Sequence, residues 1–290
     1  AGSGDRRGCL HRLPRSGGAG RRLRGELAGA RAASSAAASS GSSGSAQSGD
    51  TGRFGRRLRA AAFFFWTLLL SLPLFSLMLA IFPLIWLTDR LLRRGEHALN
   101  ALWAFLSGAP FYRVEVVGAD LLPASNEPAV YVSNHRSFLD IFSLFRLNRS
   151  FKFVSKTSNF LIPIIGWSMF LTGHIMLKRT DRRSQMKVLK DCISLLKRGG
   201  SVLLFPEGTR SRDGVMRDFK KGAFSIAVKA GVPVVPITLL GTGDLMPETS
   251  ELNPGTIRII VHPPIHSEDA DDLIARSRAA VASALPEGTF

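Results

Sequence analysis

Tyrosine is nearly missing from this chain, with 2 residues against 19 phenylalanines, and cysteine is as rare, at 2. Cys9 and Cys192 cannot build the disulfide framework of a small secreted fold. Cys192, set among apolar residues of an expected helix, reads as a small core residue. There is no GxxxxGK phosphate loop, and Gly241-Thr242-Gly243 is too little for a dinucleotide fingerprint. There is no GxSxG, which leaves Ser137 a poor hydrolase nucleophile. His262 and His266 flank Pro263-Pro264, which excludes a helical metal pair, and they read as loop residues. A zinc or iron site at His135 and Asp140 lacks further ligands nearby. Acidic residues are also few, 22 against 38 basic ones, for a net charge of +16. Such a chain meets something anionic: a nucleic acid, a membrane surface or a phosphorylated substrate. Nucleic acid is disfavoured, because the aromatics sit in apolar runs instead of alternating with basic residues.

Much of the charge is local. Residues 1–59 hold twelve arginines, no lysine and only Asp5, Glu26 and Asp50 as acids. Residues 1–52 are rich in Ala, Ser, Gly and Arg and have no hydrophobic periodicity, so disorder is expected. Arg-rich, Ser-rich and acid-poor is the composition of an organellar transit peptide; a low-complexity tail and an RNA-binding arm share it.

Residues 60–87 then carry no charge at all. As one helix they would measure about 42 Å, more than the roughly 30 Å of bilayer hydrocarbon. Pro73 and Pro83 are expected to bend this stretch. Arg53, Arg56, Arg57 and Arg59 precede it, and Arg90, Arg93 and Arg94 follow it. A single span would place one basic cluster on the far side, against the bias for basic residues on one face. The expectation is therefore that 60–87 enters the bilayer and returns. Residues 89–107 mix Leu91, Leu92, Leu102, Trp103 and Phe105 with Arg90, Arg93, Arg94 and Glu96, and read as an interfacial amphipathic helix.

Beyond Pro110, strand and helix signals alternate. Strands are expected at 111–117, 129–133, 151–155, 175–178, 201–205, 233–240 and 257–262. Helices are expected at 138–147, 182–197, 223–229 and 268–284. This pattern predicts an α/β domain with a largely parallel sheet flanked by helices, preceded by the membrane-embedded segment and the disordered N-terminus. The division is 1–52, 53–110 and 111–290. In such sheets the chemistry sits at strand C-termini.

Two strands deliver polar clusters there. One ends in Asn134-His135-Arg136-Ser137-Phe138-Leu139-Asp140. Five residues is an awkward helical spacing, about 140° apart, so His135 and Asp140 meet only if His135 lies in a loop and Asp140 in the first helical turn. A carboxylate on one ring nitrogen would leave the other free to accept a proton. The same residues also read as a capping box, with Ser137 as cap and Asp140 reaching back. The other cluster is Phe205-Pro206-Glu207-Gly208-Thr209-Arg210-Ser211. Gly208 permits close backbone approach, Thr209 offers a hydroxyl and Arg210 a fork suited to phosphate oxygens. An ordinary polar loop with an Asp213-Gly214 turn fits this stretch equally well.

NHRSFLD and FPEGTRS together resemble the 1-acyl-glycerol-3-phosphate (lysophosphatidic acid) acyltransferase family. Residues 156–179, KTSNFLIPIIGWSMFLTGHIMLKR, and 232–237, VPVVPI, are similar to its remaining two blocks, in the same order. SFKFVSK, IPIIGW and FKKGAF look most like the plastid and bacterial type. The resemblance implies acyl transfer from a thioester to the sn-2 hydroxyl of lysophosphatidate, giving phosphatidate. It implies His135 as general base, Asp140 as its orienting partner, and no cofactor or metal. Arg210 and Lys156 would hold the phosphate, with Glu207, Gly208 and Thr209 shaping that pocket. The capping role of Ser137 can coexist with the pair. Acyl carrier protein or CoA would bring the acyl group, the plastid-like wording leaning to the former. A bilayer is the expected partner and nucleic acid is not. The plastid envelope is the expected location, with the endoplasmic reticulum or a bacterial inner membrane as alternatives. Two rival readings remain: a glycerol 3-phosphate acyltransferase, and a non-catalytic membrane-anchored binder of anionic lipid.

Overall fold

The strand signals resolve into one seven-stranded sheet. The structure is a computed structural model and describes residues 48–178 and 180–290. The transit-peptide reading falls, up to residue 47, outside the described residues. The strands are β1 (Arg113–Val117), β2 (Val130–Ser133), β3 (Phe151–Lys156), β4 (Ile175–Leu177), β5 (Ser201–Leu204), β6 (Val234–Leu240) and β7 (Thr256–Val261). They lie in the order β1-β7-β6-β2-β5-β3-β4. All neighbours are parallel except β6 and β7. The largely parallel sheet expected from the sequence is therefore present.

Helices cover both faces: α1 (Ser48–Thr88), α2 (Arg94–Gly108), α3 (Leu139–Leu144), α4 (Ile165–Thr172), α5 (Arg182–Lys197), α6 (Gly222–Ala230), α7 (Thr242–Leu245) and α8 (Ala270–Ser283). Alternation along β2 divides the core in two. Tyr131 joins Phe151, Phe153, Leu203 and Ile237 beneath Phe63 of α1, Ala104 of α2 and Phe142 of α3. Val130 and Val132 join Val202 and Val234 beneath α5, α6 and α8, where Cys192 is fully buried as expected. β2 is central. From it the chain passes to β3 through α3 on one face, and β5 reaches β6 through α6 on the other. The crevice opens where these connections diverge, at the C-terminal ends of β2 and β5.

The apolar stretch departs from expectation. Residues 60–87 do not fold back on themselves, because α1 runs unbroken through both Pro73 and Pro83. A proline removes only one helical donor, a loss that a long apolar helix can absorb without breaking. The turn comes at Asp89. Its carboxylate accepts the N–H groups of Leu92 (3.3 Å) and Arg94 (2.8 Å), which ends one helix and starts the next. The return limb is α2. It packs antiparallel on α1, with Trp66 Nε1 donating to Leu106 O (3.0 Å) and Trp103 Nε1 to Ser71 Oγ (2.9 Å). Gly95 allows the close start, since a Cβ there would meet the Ile85 side chain at 2.7 Å.

Helix α2 also begins later than expected, and its polarity is turned inside out. Glu96, His97 and Asn100 face inward, while Leu102 and Phe105 are exposed. Asn100 donates to Thr172 Oγ1 (2.6 Å). Below it Lys152 of β3, 1% exposed, donates to Leu92 O and to Thr172 O (2.8 Å), tying the helix turn and α4 to the sheet. Burial pulls the Lys152 ammonium down to about 7.

Candidate active site

His135 leaves the end of β2 in a loop, and Asp140 stands in the first turn of α3. This is the arrangement the five-residue spacing demanded. His135 Nδ1 lies 2.7 Å from Asp140 Oδ2. The same oxygen accepts the backbone N–H groups of Arg136 (2.8 Å) and Ser137 (2.9 Å). Ser137 Oγ accepts the Leu139 N–H at 3.3 Å and donates to Met246 O. The capping box and the His–Asp pair are thus one structure, not alternatives. The Asp140 side chain is fully buried, which stops the carboxylate from swinging into water. An ionised carboxylate can only accept, so Nδ1 carries the proton and Nε2 is left as the acceptor. The imidazole is 14% exposed and stacks on the Phe205 ring at 4.0 Å and 16°.

The loop after β5 is fastened to this histidine through its backbone. Glu207 Oε1 accepts the His135 N–H (2.8 Å), and Oε2 accepts the Arg217 N–H (2.9 Å). From the other side Ser211 donates to His135 O through its backbone N–H (2.8 Å) and its hydroxyl (3.2 Å). Asn134, also buried, brackets Leu239 of β6 with both ends of its amide, at 2.8 and 2.9 Å. Glu207 is 2% exposed; burial raises its carboxyl above the usual range, opposed by the two N–H donors. It is a strut between two loops. Glu207→Ala is expected to lose about 2–4 kcal/mol of stability, from two stranded buried donors and a lost charged acceptor. Thermal unfolding of the detergent-solubilised protein measures this, and an unchanged midpoint would remove the strut role.

Gly208 follows with φ +76, a left-handed conformation in which a Cβ would meet Lys220 Nζ at 2.8 Å. Thr209 is exposed at the loop tip. Arg210 is half-buried, its guanidinium 6.0 Å from the Phe138 ring centroid. Burial lowers its pKa, and the field of Asp140 works against that. No hydrogen bond or ion pair engages the Arg210 side chain among the described residues. Lys156 closes β3 on the same rim with its side chain in solvent, unlinked to Arg210. The structure thus gathers His135, Asp140, Glu207 and Arg210 on the loops that follow β2 and β5, and leaves Lys156 at the end of β3. Among the described residues no cluster of His, Cys, Asp or Glu could hold a metal ion.

Reading the sequence missed Phe205, Ser211, Arg217 and Asn134 as site-building residues. Phe205 and Ser211 stood within the second motif, but nothing in their spacing told which would touch His135.

An apolar surface borders this crevice. Phe64 of α1 lies 5.9 Å from Phe138, ring centre to ring centre. Phe65, Leu68, Leu69 and Leu72 are exposed along the same helix, and Leu161, Trp167 and Phe170 around α4. Residues Gly52–Thr88 are long and apolar enough to cross a membrane.

Known proteins resemble this chain in sequence and in fold. A family model described as Acyltransferase matches residues 113–240. The chain is 59% identical over 235 residues to a 1-acyl-sn-glycerol-3-phosphate acyltransferase of Chlamydomonas reinhardtii, covering 79% of this chain and 70% of that protein. It is 52% identical over 214 residues to a chloroplastic 1-acyl-sn-glycerol-3-phosphate acyltransferase of Arabidopsis thaliana, covering 73% of this chain and 60% of that one. The crystal structure of a 1-acyl-sn-glycerophosphate acyltransferase from Thermotoga maritima superposes with a TM-score of 0.56 at 26% identity, over 76% of this chain and 94% of that one. With the paired histidine and aspartate, the parallel sheet and these relatives in agreement, the chain belongs to the 1-acyl-sn-glycerol-3-phosphate acyltransferase family.

Proposed function

We propose that this enzyme moves an acyl group from a thioester to the sn-2 hydroxyl of lysophosphatidate, with His135 as general base. The observation that carries the reading is the Nδ1–Asp140 bond, which leaves Nε2 to accept a proton. The acceptor hydroxyl gives its proton to Nε2 as its oxygen attacks the thioester carbonyl. Buried Asp140 stabilises the imidazolium that forms. The C–S bond then breaks, and the imidazolium returns the proton to the departing sulfur. No acyl-enzyme is needed. Arg210, half-buried and unpaired, binds the acceptor phosphate with Lys156 at the rim. Gly208 and Thr209 line that end, and Glu207 holds the loop from behind. The apolar border at Phe64 and Phe138 favours an acceptor that carries an acyl chain over glycerol 3-phosphate. Product analysis with both acceptors tests this: phosphatidate from lysophosphatidate is expected, and turnover of glycerol 3-phosphate alone would reject it.

The membrane enters as a surface. Helix α1 is about 60 Å long, twice the hydrocarbon thickness. Its start and the turn that follows it are both fixed to the α/β domain. Arg53 and Arg56 pair with Glu251 (2.9 and 3.1 Å), and Arg93 donates to Phe170 O and Leu171 O (3.0 and 2.6 Å). A helix tied at both ends to one folded domain cannot carry its ends to opposite sides of a bilayer. These ties support a hairpin that lies half-embedded, with both basic flanks and His135 on one face. In a plastid that face is stromal. Single cysteines near Arg57 and Arg93, in a chain lacking Cys9 and Cys192, are expected to react from one side of sealed vesicles. Labelling from opposite sides would establish a span.

A further inference from the structure

Lysophosphatidate reaches the crevice from the lipid side, but the acyl donor has to arrive from water. Helix α5 offers a surface for that arrival. It packs on the sheet face opposite to α1 and α2 through Val188, Cys192, Leu195 and Leu196. Its outer side carries Arg182, Arg183, Met186, Lys187 and Lys190 along a shallow open depression. At 100° per residue these five share an arc of about 140°, and they run for about 12 Å. All five are exposed, Met186 to 50%. Arg182, Arg183 and Lys190 have no ion pair among the described residues. Both neighbouring acids are engaged: Asp181 accepts the Arg183 N–H (2.9 Å), and Asp191 pairs with Lys187 (2.7 Å). Strand β4 runs parallel to β3, so α5 starts on the same rim as Lys156 and His135.

The geometry points to the outer face of α5 as the docking surface for an acidic carrier protein that bears the acyl thioester, a partner that rests on the acyl-transfer reading above. Three features select that occupant. The surface is positive and three of its four charges, Arg182, Arg183 and Lys190, are unspent, so an acidic helix finds partners at both ends of the row. The row lines a depression that is shallow and open, whereas a nucleotide such as the CoA head needs an enclosed site. Met186, in the middle of the charges, gives a protein a soft apolar contact that a polyanion would not use. An anionic bilayer is the competing occupant, and the exposed apolar residues place it against α1, α2 and α4 instead.

The test is the full-length variant Arg182→Glu/Arg183→Glu/Lys190→Glu, assayed with lysophosphatidate and either palmitoyl-acyl carrier protein or palmitoyl-CoA. These side chains are solvent-exposed, and an unchanged melting curve verifies folding. With the carrier-protein donor, kcat/KM is expected to fall about 10- to 10³-fold, the range of electrostatic steering. With palmitoyl-CoA it is expected to stay within about two-fold, because rim charges act on encounter and not on chemistry. Equal losses with both donors, or no loss with either, overturn the docking surface. So does loss of binding to phosphatidylglycerol vesicles in step with activity. Wild-type turnover of palmitoyl-CoA alone overturns the docking but leaves acyl transfer standing. No phosphatidate from either donor rejects acyl transfer itself, and the docking with it.

Discussion

His135→Ala is expected to lower turnover about 10²- to 10⁴-fold, the contribution of a positioned general base. Folding and membrane attachment should persist. The backbone N–H and C=O of residue 135 still bond Glu207 and Ser211, and the apolar face is untouched. Asp140→Asn gives the sharper result. The amide oxygen can take the place of Oδ2 and keep the donors from Arg136, Ser137 and the imidazole. The tautomer then survives, but the charge that stabilises the imidazolium is gone. The loss should therefore appear in kcat, with KM for lysophosphatidate little changed. Near-normal turnover in a folded His135→Ala protein would falsify the general-base assignment.

Arg210→Ala carries the second large effect. Its guanidinium is half-buried and unpaired beside Phe138, so a phosphate there would find a charged donor already stripped of much of its water. Losing a charge-assisted hydrogen bond of this kind costs roughly 1.5–3 kcal/mol, about 10- to 150-fold in apparent affinity for lysophosphatidate. Arg210→Lys should recover only part of this, because an ammonium lacks the planar fork. Acceptor saturation curves for the two variants measure it, and an unchanged KM in Arg210→Ala would mean the phosphate sits elsewhere. Arg210 does not touch His135 or Asp140, so kcat should fall far less than in His135→Ala.

The strand-to-loop-to-helix passage around His135 was legible because local rules suffice for it. A short strand, a loop and an apolar helix set His135 in the loop and Asp140 in the first turn, while the choice between a paired and a merely capping Asp140 stayed open until the family resemblance. Helix α5 is legible for the same reason, since its apolar residues recur at helical spacing and Asp181 caps it. The apolar hairpin was misread because two prolines look like breakers. Proline is a strong signal only where water or tertiary packing offers the backbone an alternative to helix. Helix α4 was passed over, since residues 160–172 are apolar but for Ser168 and Thr172 and give no periodicity to read.

What the sequence by itself determined is the alternation of strands and helices, the placing of His135 and Arg210 at strand ends, and the basic and apolar segments of the N-terminal half. Each of these depends on contacts within a few residues. Tertiary structure alone decided that Glu207 and Ser211 grip the backbone of His135, 72 and 76 residues away, and that Phe205 stacks on its ring. It alone turned Glu96, His97 and Asn100 inward onto a buried Lys152 while leaving Leu102 and Phe105 outside. Those outcomes follow from strand order. Placing β5 between β2 and β3 brings distant loops together, and packing α2 and α4 over β3 carries polar groups of α2 toward the buried Lys152.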